Sequence, residues 1–350
     1  MSTPVILVYR LFDVADEIDL EAAEQLLAVG SHVSRLRLTR VSPKAIVFKN
    51  PPVMVEMGCR EISLAGLTLG AEVRARVYDL GVVAVILRLA VPPQTTFAEL
   101  TDLALAVDGL REETFKTSLD AALAALRPAM VGPHPPEFSE DLVVYYFREW
   151  EEEWDPVPLL LAEKQPVSPE TRKETLAHRF SYADDFAFLT WDTAIVYDPT
   201  GSPDIPDLLE LANAQLLELR YYDQILDREI ERMYDAIEDA DRGASYRRLG
   251  RYRRIRRQLM ELVADITAIT GRIQNSLRVT EDVFYARVYT GYLRLLRVRD
   301  WTESIRQKVE VIQRSYTMLS DEVVTSRAEL LEILIIALIA FEIVLSLVRA

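Results

Sequence analysis

Up to about position 200 the apolar residues come in short alternating runs, and beyond Pro206 they recur at helical spacing. The two regimes predict two kinds of architecture. Val5–Arg10 reads as a strand, and Asp19 stands where a short helix over Leu20–Ala28 needs a cap. Ala45–Phe48, Glu61–Leu69, Val73–Tyr78 and Val82–Leu89 are rich in Val, Ile and Leu and predict further strands. Arg74 and Arg76 alternate with Val73, Ala75 and Val77, which predicts one wet face on that strand. Pro92 and Pro93 close this set. Helical patterns follow over Phe97–Val107 and Glu112–Leu126, the second stopped by Pro128. Leu142–Phe147 and Ala187–Tyr197 return to strand character. Pro156–Pro169 reads as a Pro-rich linker, and Asp198, Pro199, Thr200 and Gly201 read as a turn.

In the later regime, Leu208, Leu211, Ala212, Gln215, Leu219, Tyr222, Leu226, Ile230, Met233 and Ile237 form one stripe. After a break around Arg242 and Gly243, Tyr252, Ile255, Leu259, Leu262, Ile266, Ile269 and Ile273 form a second, and the two predict an antiparallel helical hairpin. Ile305, Val309, Ile312, Tyr316, Leu319 and Val323 step by four and three alternately, a heptad seam. That pattern predicts one helix from about Trp301 to the end.

The expected fold class is therefore α+β. A mixed α/β region over 1–205 is followed by an antiparallel, coiled-coil-like helical stalk over 206–329 and a C-terminal transmembrane helix over 330–348. The tail reads LLEILIIALIAFEIVLSLV. As a helix it is about 28 Å long, close to the roughly 30 Å hydrocarbon core of a bilayer. Val5–Tyr9 is too short for an export signal, because Arg10 and acidic residues follow it at once. A tail-anchored, single-pass membrane protein with its body in the cytoplasm is the resulting expectation. Arg327 and Arg349 flank the tail and say little about orientation. Glu342 interrupts the tail. Within hydrocarbon it would cost about 2.5–3.5 kcal/mol and need a partner, such as the same residue protonated in a second copy. Snorkelling, or a tail that is a buried soluble helix, are the alternatives.

The chain has 350 residues and a net charge of -15. Its field repels phosphate backbones, which argues against general nucleic-acid binding. Cys59 is the single cysteine, so neither a disulfide framework nor a Cys-based zinc site can form. His32, His134 and His178 stand apart, with His134 in a Gly- and Pro-rich loop. Phosphate-cradling Gly-rich loops, HExxH and G-x-S-x-G are absent. No catalytic, cofactor-binding or metal-binding residue is thereby named, and no cofactor is implied. Glu151, Glu152, Glu153 and Asp155, with Asp184, Asp185, Asp192 and Asp198, could hold Mg²⁺ if they converged. Otherwise they are solvated acidic loops. Arg251, Arg253, Arg254, Arg256 and Arg257, interleaved with Tyr246 and Tyr252, could grip the phosphates of RNA or of anionic lipid headgroups. The alternative is pairing with Asp235, Glu238, Asp239 and Asp241 across the hairpin.

Trp301–Val348, with its Tyr316–Leu319 step, Arg327 and the Glu-interrupted tail, resembles the family named "required for meiotic nuclear division", also called the Sad1-interacting-factor family. Leu208–Asp227 is similar to the helix that opens the helical half of that family. The resemblance covers the chain from near Asp198 onward. It implies an α/β region, a helical region and a membrane helix, with no established enzymatic activity. Only Glu342 and the polar residues of 208–227 carry over. The function expected is that of a membrane-tethered scaffold, with the lipid bilayer as one partner. A second copy or another protein would bind along the helical stalk. A membrane-bound, metal-dependent enzyme acting on a phosphate-containing substrate and an RNA-binding tether are the alternatives.

Overall fold

Strand β1 (Val5–Asp13) turns Ile6, Val8 and Phe12 to one face and Val5, Leu7, Tyr9 and Leu11 to the other. Both sets are apolar, as a strand covered on two faces requires. In this computed structural model β1 is the fifth of nine strands in one sheet. The structure describes residues 4–28, 32–35, 46–48, 50–241, 254–255, 257–261, 263–264, 266–267, 271, 277–279 and 283–349. They belong to two compact units, Met1–Tyr221 with Arg272–Asp300, and Tyr222–Gly271 with Trp301–Ala350.

In the larger unit β2 (Ala15–Ile18) and α1 (Leu20–Leu27) follow β1, and Asp19 caps α1 by accepting from the N–H groups of Glu21 and Ala22. Next come β3 (Val33–Arg35), β4 (Ile46–Phe48), β5 (Val53–Leu64), β6 (Leu67–Val77) and β7 (Val82–Ala90). The run Glu61–Leu69 is not one strand. Ala65 and Gly66, at φ of 49° and 80°, make the two-residue turn between β5 and β6. Helices α2 (Phe97–Asp108) and α3 (Glu113–Leu126) lead to β8 (Met130–Pro133) and β9 (Ser139–Phe147). Then follow α4 (Val157–Leu161), α5 (Pro169–Thr175), β10 (Arg179–Ser181), β11 (Phe186–Leu189) and β12 (Thr193–Tyr197). A turn in which Thr190 Oγ1 accepts from the N–H of Thr193 divides β11 from β12.

The sheet order is β10-β11-β12-β9-β1-β7-β6-β5-β3, antiparallel except for the β9–β12 pair. Its first face carries Ile6, Val8, Phe12, Val73, Ala75, Val85 and Leu87, packed under Leu20, Leu103, Phe115 and Leu119 of α1, α2 and α3. The second face meets the first half of α6 (Asp204–Asp241). Leu208, Leu209, Ala212, Leu216 and Leu219 are buried there, and so are Asp207, Glu210, Asn213 and Gln215. A helix buried on every side must satisfy its polar groups internally. After β13 (Leu277–Val279), which pairs with β4, α7 (Val283–Leu295) supplies partners. Tyr292 Oη accepts from Asn213 Nδ2 at 2.9 Å, and Tyr289 Oη donates to Gln215 Oε1 at 2.6 Å.

The smaller unit joins the second half of α6 to α8 (Val298–Arg349), one uninterrupted helix. Leu226, Met233, Ile305 and Ile312 are buried, with Ile255, Leu259 and Ile266. Lys308 Nζ bridges Asp223 and Asp227 at 2.9 and 2.7 Å.

The expected membrane anchor is not there. Among the described residues no helix is long and apolar enough to cross a membrane, which overturns the transmembrane segment over 330–348, the tail-anchor reading and the single-pass membrane localisation. Two carboxylates interrupt the tail. Glu332 and Glu342 bracket nine apolar residues, 333–341. Nine residues make about 14 Å of helix, half of a hydrocarbon core. Glu342 is an exposed residue of α8.

Candidate functional site

On the second face of the sheet, beyond the start of α6, lies a cavity of about 700 Å³. Its floor follows from strand register. Tyr9 of β1 stands opposite Ile86 of β7, which stands opposite Arg74 of β6. One step along, Leu7 faces Arg88, and Arg88 faces Glu72. The result is an apolar strip of Val5, Leu7 and Ile86 beside a cationic strip of Arg74, Arg76 and Arg88. The opposite wall is Gly201, Pro203, Pro206 and Asp207, where the chain enters α6. Tyr146 Oη of β9 donates to the carbonyl of Ser202 at 2.9 Å and ties this wall to the sheet. Asp198 shapes the turn before it, accepting from the N–H and Oγ1 of Thr200 at 2.7 and 2.6 Å. Gly201, at φ 77°, leaves room for Arg148, since a Cβ there would lie 2.5 Å from the guanidinium.

The arginines have different tasks. Arg35 donates to Glu24 at 2.8 Å and to the carbonyls of Pro51 and Leu20, a structural arrangement. Arg76 is buried and pairs with Asp207 at 2.9 Å and with Glu210. Burial alone would depress its pKa, but Asp207 and Glu210 hold it charged, well above the ordinary value. Two carboxylates on one buried cation are one too many. Burial pushes Glu210 up to about 7, with Arg76 opposing and Asp207 adding to the rise. Burial likewise raises Asp207 against the pull of Arg76. Nearer the mouth, Arg74 and Arg88 share the single carboxylate of Glu72, at 3.1 and 2.9 Å. Arg148 is exposed and has no ion pair among the described residues.

A second ionisable group sits elsewhere in this unit. Asp13 Oδ1 lies 3.5 Å from His134 Nε2, and the imidazole stacks on Tyr221 with centroids 4.7 Å apart. Burial, with Asp16 nearby, pushes the Asp13 carboxyl up to about 8.

The acidic residues named from sequence serve their own loops. Asp155, just ahead of α4, accepts from the N–H of Val157 and pairs with Arg172 at 2.7 Å. Asp185 accepts from the N–H groups of Tyr182 and Ala183, and Asp192 from Thr190 and Thr193. Among the described residues no three His, Cys, Asp or Glu side chains gather as a metal site would require. Of the hairpin arginines, Arg254 is exposed and Arg257 pairs with Glu261 at 2.9 Å within its own helix. Arg251, Arg253 and Arg256 lie outside the described residues, as does the break at Arg242 and Gly243. Sequence reasoning missed the pocket while holding its signal. Arg74, Arg76 and Arg88 stand between apolar residues of β6 and β7, and the face predicted to be wet is a cavity wall on which Arg76 is buried.

Residues 4–204 match the family described as "Uncharacterized protein MJ0711, N-terminal domain". That is more than half of the chain, and the chain belongs to this family. It is 27% identical over 255 residues to the "Uncharacterized protein MJ0711" of Methanocaldococcus jannaschii, covering 69% of this chain and 73% of that protein. No solved structure matches the chain. These findings correct the resemblance to the "required for meiotic nuclear division" family. That resemblance rested on helices from near Asp198 onward, where spaced apolar positions converge among unrelated helices, whereas the family match lies on the sheet-forming residues before them.

Proposed function

We propose that the larger unit of this MJ0711-family protein is a binding module for a small anionic ligand, and that the arginine-lined cavity is its site. One observation carries the reading. In a chain of net charge -15, the cavity mouth holds Arg74, Arg88 and Arg148 against the single carboxylate of Glu72. A volume near 700 Å³ suits a small molecule. Thermal unfolding of the full chain in phosphate, sulfate, citrate and acetate tests this at constant ionic strength. At least one anion should raise the melting temperature, and Arg88→Gln with Arg148→Gln should abolish the rise. Equal responses in wild type and double variant would defeat the assignment.

A second reading, protein association through the helical stalk, is favoured by α8. Leu334, Ile335, Ile336, Leu338, Ile339, Phe341 and Ile343 are 53–64% exposed there. An apolar surface of this kind marks an interaction site. Light scattering of the full chain beside a variant carrying Ile336→Asp and Ile339→Asp tests it. Association lost in the variant supports this reading, and a monomeric wild type that captures no partner counts against it.

A further inference from the structure

Charge and shape at the cavity mouth narrow the ligand. Arg74, Arg88 and Arg148 contribute three positive charges and Glu72 returns one negative, an excess of two. The deeper Arg76 adds nothing to that excess, because Asp207 and Glu210 already neutralise it. Arg35 is spent on Glu24. A phosphate monoester carries about -1.5 to -2 charge at neutral pH and three acceptor oxygens, and guanidinium forks match that geometry in pairs. A carboxylate brings one charge and leaves half of that excess unmatched.

The apolar strip supplies the other half of the argument. β1 is the central strand of nine, yet Val5 and Leu7 remain half-exposed on the cavity side. On the opposite face of the same strand Ile6 and Val8 are 0% and 4% exposed. Ile86, Met54, Pro203 and Pro206 extend the apolar lining around them. An apolar wall one strand away from guanidinium groups fits a molecule with a charged end and a greasy or aromatic body.

We propose that the cavity takes a phosphate monoester whose organic part is apolar or aromatic. The phosphate sits among Arg74, Arg88 and Arg148, and the organic part lies on Val5, Leu7 and Ile86. Glu72 is the resident anion that bridges Arg74 and Arg88. This rests on the anion-binding reading above and specifies its ligand class.

Calorimetric titration of the full chain with phenyl phosphate, inorganic phosphate and benzoate tests the assignment. Phenyl phosphate should bind at least fivefold more tightly than inorganic phosphate and at least tenfold more tightly than benzoate. Arg88→Gln and Arg148→Gln should each weaken phenyl phosphate tenfold or more at unchanged melting temperature. Arg257→Gln, far along the chain in the smaller unit, should leave binding unaltered. Leu7→Asn should erase the advantage of phenyl phosphate over inorganic phosphate while sparing the latter. Benzoate binding as tightly as phenyl phosphate would overturn the phosphate assignment and leave the anion site standing. Inorganic phosphate matching phenyl phosphate would overturn the apolar body. Absence of binding by any of the three, together with no thermal response to the wider anion panel, would remove both readings.

Discussion

Replacing Glu210 by Gln should make the protein less sensitive to alkaline pH, and the size of the effect follows from its burial. Glu210 is 0% exposed, and its Oε2 accepts from Arg76. In the unfolded chain it titrates near its ordinary 4.5, and in the fold at about 7. The folded state therefore holds the proton more tightly. Below pH 4.5 the acid is protonated in both states and its contribution to stability is fully present. As pH rises through 7 the carboxylate must form in a buried site, and that contribution is lost. At roughly 1.36 kcal/mol per pH unit, the interval from 4.5 to about 7 amounts to about 3 kcal/mol. Glutamine cannot ionise, still accepts from Arg76, and leaves Arg76 and Asp207 as a neutral pair. The stability of Glu210→Gln relative to wild type should thus grow by about 3 kcal/mol between pH 4.5 and pH 8. Urea unfolding followed by tryptophan fluorescence measures it. A Trp301→Phe background confines the signal to Trp150, Trp154 and Trp191, all in the larger unit. Carboxylates away from Arg76 cancel in the difference, whereas Asp207, which shares Arg76 with Glu210, can shift with it. A difference that stays flat, or shrinks toward high pH, means that Glu210 is ionised in the fold throughout and refutes the reasoning.

Arg76→Met should cost about 3–5 kcal/mol at pH 8, because it strands Asp207 and Glu210 without a cation; a loss below 1 kcal/mol in the same unfolding assay would show that the carboxylates find other relief. Gly81→Ala should destabilise by well over about 1 kcal/mol. Gly81 sits at φ 97° and a Cβ there would lie 1.7 Å from the carbonyl oxygen of Ala15, so a melting temperature equal to wild type would contradict that backbone geometry. Tyr292→Phe should cost about 1–3 kcal/mol, since the hydroxyl receives Asn213 and donates to the carbonyl of Trp191 inside the packed α6–α7 contact; hydrogen exchange at α7 should quicken in parallel.

Local rules reached the elements of the sheet well. Apolar runs located β1 and β7, and the Asp19 cap located α1, because each of these signals acts between near neighbours. They failed where a turn lacked the usual residues. Ala65-Gly66 closes a hairpin without the Asn-Gly or Asp-Gly that announces one, so two strands read as one. They failed again at the tail, where nineteen residues of mostly apolar character outweighed the interruption at Glu342.

The site was harder to read for a different reason. An arginine between valines says that one face of a strand is polar, and it is silent on whether water or another element faces it. For Arg76 the answer lies 131 and 134 positions away, at Asp207 and Glu210 on a helix whose own stripe looked amphipathic. Seen alone, Asp207, Glu210 and Asn213 form the solvent face of α6. Laid against the sheet, Asp207 and Glu210 become a buried acidic pair held by Arg76, and Asn213 bonds to Tyr292. The same pairing consumes Arg76 and leaves the excess charge to Arg74, Arg88 and Arg148, so the place where a ligand fits is set by which arginines the helix has already taken.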